Sequence, residues 1–81
     1  MEIYVLTVED TIDDNKVIAF YNLNDARNTL KSLIADFKNK YTDWNDDENY
    51  CEETPNTFVW YPYGCYNANH YMINITRTKI V

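Results

Sequence analysis

The stretch that decides the fold is residues 22–41, NLNDARNTLKSLIADFKNKY. Its apolar residues recur at spacings of three and four, which is the period of a helix with one buried face. They are Leu23, Ala26, Leu30, Leu33, Ile34, Phe37 and Tyr41. Asn22 is a favourable N-cap, and Asp25 completes a capping box and opposes the helix dipole. The pattern therefore predicts a helix over residues 23–40, with a polar face turned to solvent: Arg27, Asn28, Lys31, Ser32, Asp36 and Lys38.

Strand patterns lie on both sides of this helix. Residues 1–8 are rich in β-branched and aromatic side chains that are apolar on both alternating faces, which favours a central strand. Residues 16–21 predict a second strand, and the Asp- and Asn-rich segment 10–16 predicts a turn that makes the pair an antiparallel hairpin. Residues 57–61 predict a third strand, and residues 70–79 a fourth with one polar face.

The order β-β-α-β-β predicts an α+β fold in which one amphipathic helix packs on one face of a small antiparallel sheet. The 81 residues are enough for a single domain over residues 1–81. Residues 42–56, TDWNDDENYCEETPN, lack a strand or helix pattern and are predicted to form an acidic loop. A loop of this length is unusual in a compact domain and is often functional.

Charge is distributed unevenly along the chain. The net charge is −6, from 13 acidic and 7 basic residues. Residues 41–76 hold six of the acidic residues and neither Lys nor Arg, whereas the charges elsewhere cancel. Such a surface repels phosphate backbones and attracts basic partners. Direct nucleic-acid binding is disfavoured, because it depends on Lys and Arg displacing counterions.

The sequence also indicates the cellular compartment in which the protein is expected. It has no apolar run long enough to cross a bilayer, and its first ten residues lack the pattern of a secretory signal. Its two cysteines, Cys51 and Cys65, do not make the dense disulfide framework of small secreted domains. We therefore expect a cytoplasmic protein with reduced thiols and no membrane partner.

Metal and catalytic patterns are incomplete. Residues 43–47, DWNDD, match the first oxygen positions of a calcium loop, but Glu48 stands where that loop needs Gly and Thr54 where it needs Glu. The gaps between Cys51, Cys65 and His70 do not have the short paired spacing of zinc sites. No Gly-rich phosphate loop or nucleophile motif occurs. The expectation is therefore no metal, no cofactor and no enzymatic activity.

The aromatic residues are the stronger clue to function. Either Phe58 and Trp60 or Val59 and Tyr61 must supply the core from the third strand, and the remaining Tyr and Trp residues exceed what so small a core can hide. Surplus rings beside acidic residues are typical of protein-binding surfaces. The predicted partner-binding residues are Asp43, Trp44, Asp46, Asp47, Glu48, Tyr50, Glu52, Glu53, Tyr63 and Tyr66.

The opening EIYVLTVED, followed by VIAFYNLNDARNTL, resembles the start of small phage and prophage-encoded accessory proteins. In size, charge and Tyr and Asn content the chain also resembles anti-CRISPR and anti-restriction inhibitors. The likeness covers about half of the chain and carries no functional motif. It implies an inhibitor that acts in the host cytoplasm.

The leading hypothesis is a non-enzymatic inhibitor or adaptor whose acidic, aromatic surface occupies a basic, nucleic-acid-binding groove of a partner protein. Carboxylates would stand in for phosphates and rings for stacked bases. An alternative from another class is a small-molecule-binding or sequestering domain, formed by an oligomer whose aromatic residues line a shared pocket. A third, a direct single-strand binder, has the rings but lacks a cationic groove. The sequence leaves the partner and the oligomeric state open.

Overall fold

The computed structural model describes residues 2–10, 15–41, 44, 49–61 and 70–79. The elements within these residues are β1 (Glu2–Asp10), β2 (Lys16–Phe20), α1 (Leu23–Lys40), β3 (Tyr50–Thr54), β4 (Thr57–Tyr61) and β5 (Tyr71–Lys79). The strands form one antiparallel sheet in the order β2-β1-β5-β4-β3, and α1 packs on one face of it. The predicted α+β class, the antiparallel pairing of β1 with β2 and the helix on an antiparallel sheet are confirmed. Residues 11–14 of the predicted turn between β1 and β2 lie outside the described residues.

The sheet contains one strand more than the predicted order. Tyr50–Thr54, which the sequence assigned to an acidic loop over residues 42–56, forms β3 and pairs with β4. All five of its residues are exposed, so the strand buries no apolar side chain and shows no alternation between apolar and polar positions. The loop prediction was wrong here because alternation is the signal by which a half-buried strand is recognised.

Helix α1 begins and ends at the predicted residues. The Asn22 side chain caps it by accepting a hydrogen bond from the backbone N–H of Asn24 at 2.8 Å. At the other end the Tyr41 N–H donates to the Phe37 carbonyl at 2.9 Å. No helix in the described part of the chain is both long enough and apolar enough to cross a membrane.

The buried face of α1 is narrower than predicted. Ala26, Leu30, Ile34 and Phe37 are buried, whereas Leu23, Leu33 and Tyr41 pack against the core while keeping part of their surface exposed. The predicted polar face is also not wholly exposed, because Arg27 and Lys38 are half-buried. Lys38 reaches Glu53 on β3, and Arg27 reaches Asn56 in the turn between β3 and β4.

The core lies between α1 and the helix-facing side of the sheet. Its strand residues are Leu6, Val8, Phe58, Trp60, Ile73 and Ile75. Of the two possible sets on β4, Phe58 and Trp60 are therefore the buried one. The Phe37 ring joins helix to sheet, since its centroid lies 5.1 Å from Trp60 and 4.6 Å from Tyr71. Aromatic contacts of this kind add to the stabilisation from buried area.

Candidate protein-binding surface at the edge of the sheet

The structure describes four of the ten predicted contact residues: Trp44, Tyr50, Glu52 and Glu53. The other six, Asp43, Asp46, Asp47, Glu48, Tyr63 and Tyr66, lie outside the described residues. The described part of the predicted surface therefore consists of β3 and Trp44.

Strand β3 is an edge of the sheet, with β4 as its neighbour among the described strands. An edge strand presents backbone N–H and C=O groups that can pair with another chain. Because Cys51 lies opposite Trp60 and Glu53 opposite Phe58, these two β3 residues share the helix-facing side of the sheet. Successive strand residues alternate between faces, so Tyr50 and Glu52 lie on the opposite side. The predicted contact residues of β3 are thus divided between two faces.

On the side away from the helix, β3 and β4 present a small cluster, the outer patch, made of Tyr50, Glu52 and Tyr61. The Tyr50 and Tyr61 rings are stacked, with centroids 4.7 Å apart and planes within 12°. The Tyr50 hydroxyl donates to Glu52 Oε2 at 2.6 Å. This hydrogen bond and the carboxylate charge raise the pKa of Tyr50. The outer patch therefore combines an ordered pair of rings with a carboxylate held beside them.

On the helix-facing side, the predicted residues are engaged in contacts within the fold. The Lys38 ammonium lies 3.9 Å from Glu53 Oε2 and 4.2 Å from the centroid of the Trp44 ring. The Trp44 carbonyl accepts hydrogen bonds from the Trp60 indole at 2.9 Å and from the Asn49 side chain at 3.4 Å. Trp44 is thus tied to the fold by both ring and backbone, which does not favour its predicted role as a partner-binding anchor.

The residues considered for metal binding are not assembled in the described part of the chain. His70 Nε2 lies 3.4 Å from Glu9 Oε2, beside β1. Cys51 is on the edge strand, where partial burial raises the pKa of its thiol and the nearby Lys38 ammonium opposes that rise. Cys65 lies outside the described residues. Within the described ranges, no group of three or more His, Cys, Asp or Glu side chains is placed to hold a metal ion.

The prediction omitted Tyr61, although the signal for it was present. Once Phe58 and Trp60 are assigned to the core, strand alternation places Val59 and Tyr61 on the opposite face. What the sequence lacked was the position of β3, which brings Tyr50 opposite Tyr61. Comparisons with protein-family models, curated proteins and solved structures found no match to this chain.

Proposed function

We propose that this chain is a non-enzymatic protein-binding inhibitor that docks its β3–β4 edge into a basic, nucleic-acid-binding groove of a partner protein. The observation that carries the proposal is the outer patch, in which exposed Tyr50 stacks on half-buried Tyr61 and the Glu52 carboxylate accepts a hydrogen bond from the Tyr50 hydroxyl. In this arrangement the rings stand in for stacked bases, and the carboxylates for backbone phosphates.

The geometry of the outer patch supports a role in binding because it is already ordered. Stacking and the hydrogen bond to Glu52 restrict the Tyr50 side chain before any partner arrives. Ordering side chains on binding costs about 0.5–1.5 kcal/mol for each flexible group, so an ordered surface retains more of its interaction energy. Tyr50 nevertheless keeps 39% of its surface exposed and available for contact.

Charge supports the choice of a basic partner. The whole net charge of −6 is accounted for by residues 41–76, which contain no Lys or Arg and include β3 and β4. A concentrated negative field speeds encounter with a positive groove and repels nucleic acid itself. Since Glu53 is paired with Lys38, Glu52 is the described carboxylate best placed to act on a partner from this edge.

The biological setting that fits this proposal is the one implied by the resemblance to phage-encoded anti-defence inhibitors. A host nuclease or another protein that holds nucleic acid in a basic groove would be occupied by the acidic edge. Inhibition would then be competitive with nucleic acid and would need no chemical step.

The first test is affinity capture of proteins from a bacterial lysate on the immobilised chain, followed by elution with a competing oligonucleotide. We expect the oligonucleotide to release nucleic-acid-binding proteins, because both ligands would occupy one groove. Association and dissociation rates of a captured partner are then measured over a range of salt concentrations with three variants.

Glu52→Gln should slow association and flatten its salt dependence, since edge charges mainly steer encounter. Tyr50→Ala should mainly speed dissociation, because desolvated rings anchor an interface. Asp36→Asn, which removes the same charge from the exposed surface of α1, is the matched control and should change neither rate. If Glu52→Gln and Asp36→Asn behave alike, the outer patch is not the binding surface.

A further inference from the structure

A cleft of about 290 Å³ lies on the helix-facing side of the sheet, at the end where α1 begins. It is lined by Tyr4, Leu23, Arg27, Asn56, Ile75 and Arg77. Arg27 and Arg77 are the two arginines of the sequence, and they come from distant parts of an acidic chain. The outer patch faces away from the helix, so this cleft is a separate site.

Arg27 is held in place on the wall of the cleft. The half-buried side chain donates from Nε to Asn56 Oδ1 at 2.9 Å, and the Asn56 carbonyl in turn accepts from the Ile75 N–H at 2.9 Å. No carboxylate among the described residues forms an ion pair with Arg27. A half-buried guanidinium that is oriented by a neutral amide and lacks a counterion in this part of the chain is well suited to bind an anion.

Arg77 supplies the second positive charge. Its Nε lies 3.8 Å from Glu2 Oε1, and 70% of its side chain is exposed. Exposed ion pairs contribute little stability, so an anion in the cleft can replace the Glu2 contact at small cost. Leu23, the first residue of α1, also lines the cleft, which places the positive end of the helix dipole at its edge.

The remaining walls indicate what the anion is attached to. Tyr4 lies opposite Arg77 in the sheet and shares its face, while Leu23 and Ile75 supply apolar surface. The volume is several times the ~30 Å³ that one water molecule occupies in the liquid, so it has room for more than a bare ion. Two guanidinium groups match the charge of a phosphate monoester, which is close to −2 at neutral pH.

We propose that this cleft binds a small phosphate monoester whose organic part is aromatic. The phosphate oxygens lie between Arg27 and Arg77, and the ring packs against Tyr4 and the apolar side chains of Leu23 and Ile75. Because the cleft shares no residue with the outer patch, this proposal does not depend on the proposed inhibitor function and is tested independently of it.

The probe is phenyl phosphate, titrated into the protein by calorimetry at fixed ionic strength, with inorganic phosphate and phenol titrated in parallel. We expect phenyl phosphate to bind more tightly than either of the other two, because only this compound contacts both arginines and the apolar walls. Absence of binding at millimolar phenyl phosphate would overturn the proposal. Equal affinity for inorganic phosphate would also overturn it, because the cleft would then recognise only an ion.

Four variants locate the site. Arg27→Gln and Arg77→Gln should each weaken phenyl phosphate binding about tenfold or more, the usual effect of losing a charge-assisted hydrogen bond. Lys31→Gln and Lys79→Gln remove the same charge from exposed positions on α1 and β5 and should leave affinity unchanged. An equal loss in all four would mean general attraction by positive charge and would refute the site. If Arg27→Gln does not fold, the pair Arg77→Gln and Lys79→Gln decides the question, since Arg77 is exposed.

Discussion

At the scale of single residues, Tyr71 shows how partial burial against the core changes the ionisation of a hydroxyl group. Its ring stacks on Phe37 with centroids 4.6 Å apart, and burial raises the pKa of its hydroxyl to about 12, with a further contribution from the Asp10 and Asp36 carboxylates. The ordinary tyrosine pKa is about 10. The fold therefore favours the neutral phenol over the phenolate.

A group whose pKa is raised by folding stabilises the fold fully below its unfolded pKa and loses that contribution as pH rises through the folded value. For Tyr71 this window runs from about pH 10 to about pH 12. Tyr71→Phe keeps the ring and removes the ionisable hydroxyl, so its stability should fall less steeply across this window. Urea denaturation of both proteins at several pH values measures the difference, and other titrating groups cancel in the comparison. Parallel curves would show that Tyr71 ionises as freely in the fold as outside it.

At the scale of elements, α1 was predicted to the residue and β3 was missed, for the same physical reason. The helix buries a stripe that includes Leu30 and Phe37, so its period is visible in the sequence. Its first residue is also predictable, because Asn22 caps it. Strand β3 buries none of its residues and owes its shape to pairing with β4, which is a contact between segments rather than a property of one. Local sequence patterns identify elements with a buried face, so an exposed edge strand has no pattern by which it can be recognised.

The narrow buried face of α1 leads to a prediction about two leucines one turn apart. Leu30 is 1% exposed, whereas Leu33 only packs at the margin of the core. Leu30→Ala should lower the free energy of unfolding by about 2–5 kcal/mol, as is usual for a buried leucine, because the cavity cannot fill with water or collapse fully. Leu33→Ala should cost clearly less, since solvent reaches the truncated site. Chemical denaturation of both variants measures this, and equal losses would contradict the observed difference in burial between Leu30 and Leu33.

At the scale of the whole molecule, composition predicts which segment of the chain carries the candidate surface, but not how its side chains are arranged. The segregation of charge and the excess of rings are visible in the sequence, and they direct attention to residues 41–76. Which ring lies beside which carboxylate depends on the register of β3 on β4, and the presence of Arg27 and Arg77 in one cleft depends on how α1 packs on the sheet. Neither arrangement leaves a periodic signal in the chain, so neither could be read from it.

The two edges of the sheet differ in chemistry. Edge strand β3 carries Glu52 and Glu53, whereas the opposite edge strand, β2, exposes Val17 by 72% and Ile18 by 37%. Exposed apolar edge strands are sites of edge-to-edge association, and charged side chains on the edge prevent it. At neutral pH, the net charge of −6 keeps molecules apart by repulsion. Near the isoelectric point of about 4.4 that repulsion disappears.

We therefore expect the protein to associate through β2 as the pH is lowered to its isoelectric point. Val17→Lys places a charge on that edge and should reduce association, because pairing two β2 strands would bring like charges together. Ser32→Lys adds the same charge to the exposed surface of α1, which is not part of the β2 strand, and should associate like the wild type. Light scattering of each protein at its own isoelectric point measures association, and circular dichroism establishes that the fold persists at that pH. Equal association of the two variants would mean that β2 is not the surface through which the molecules meet.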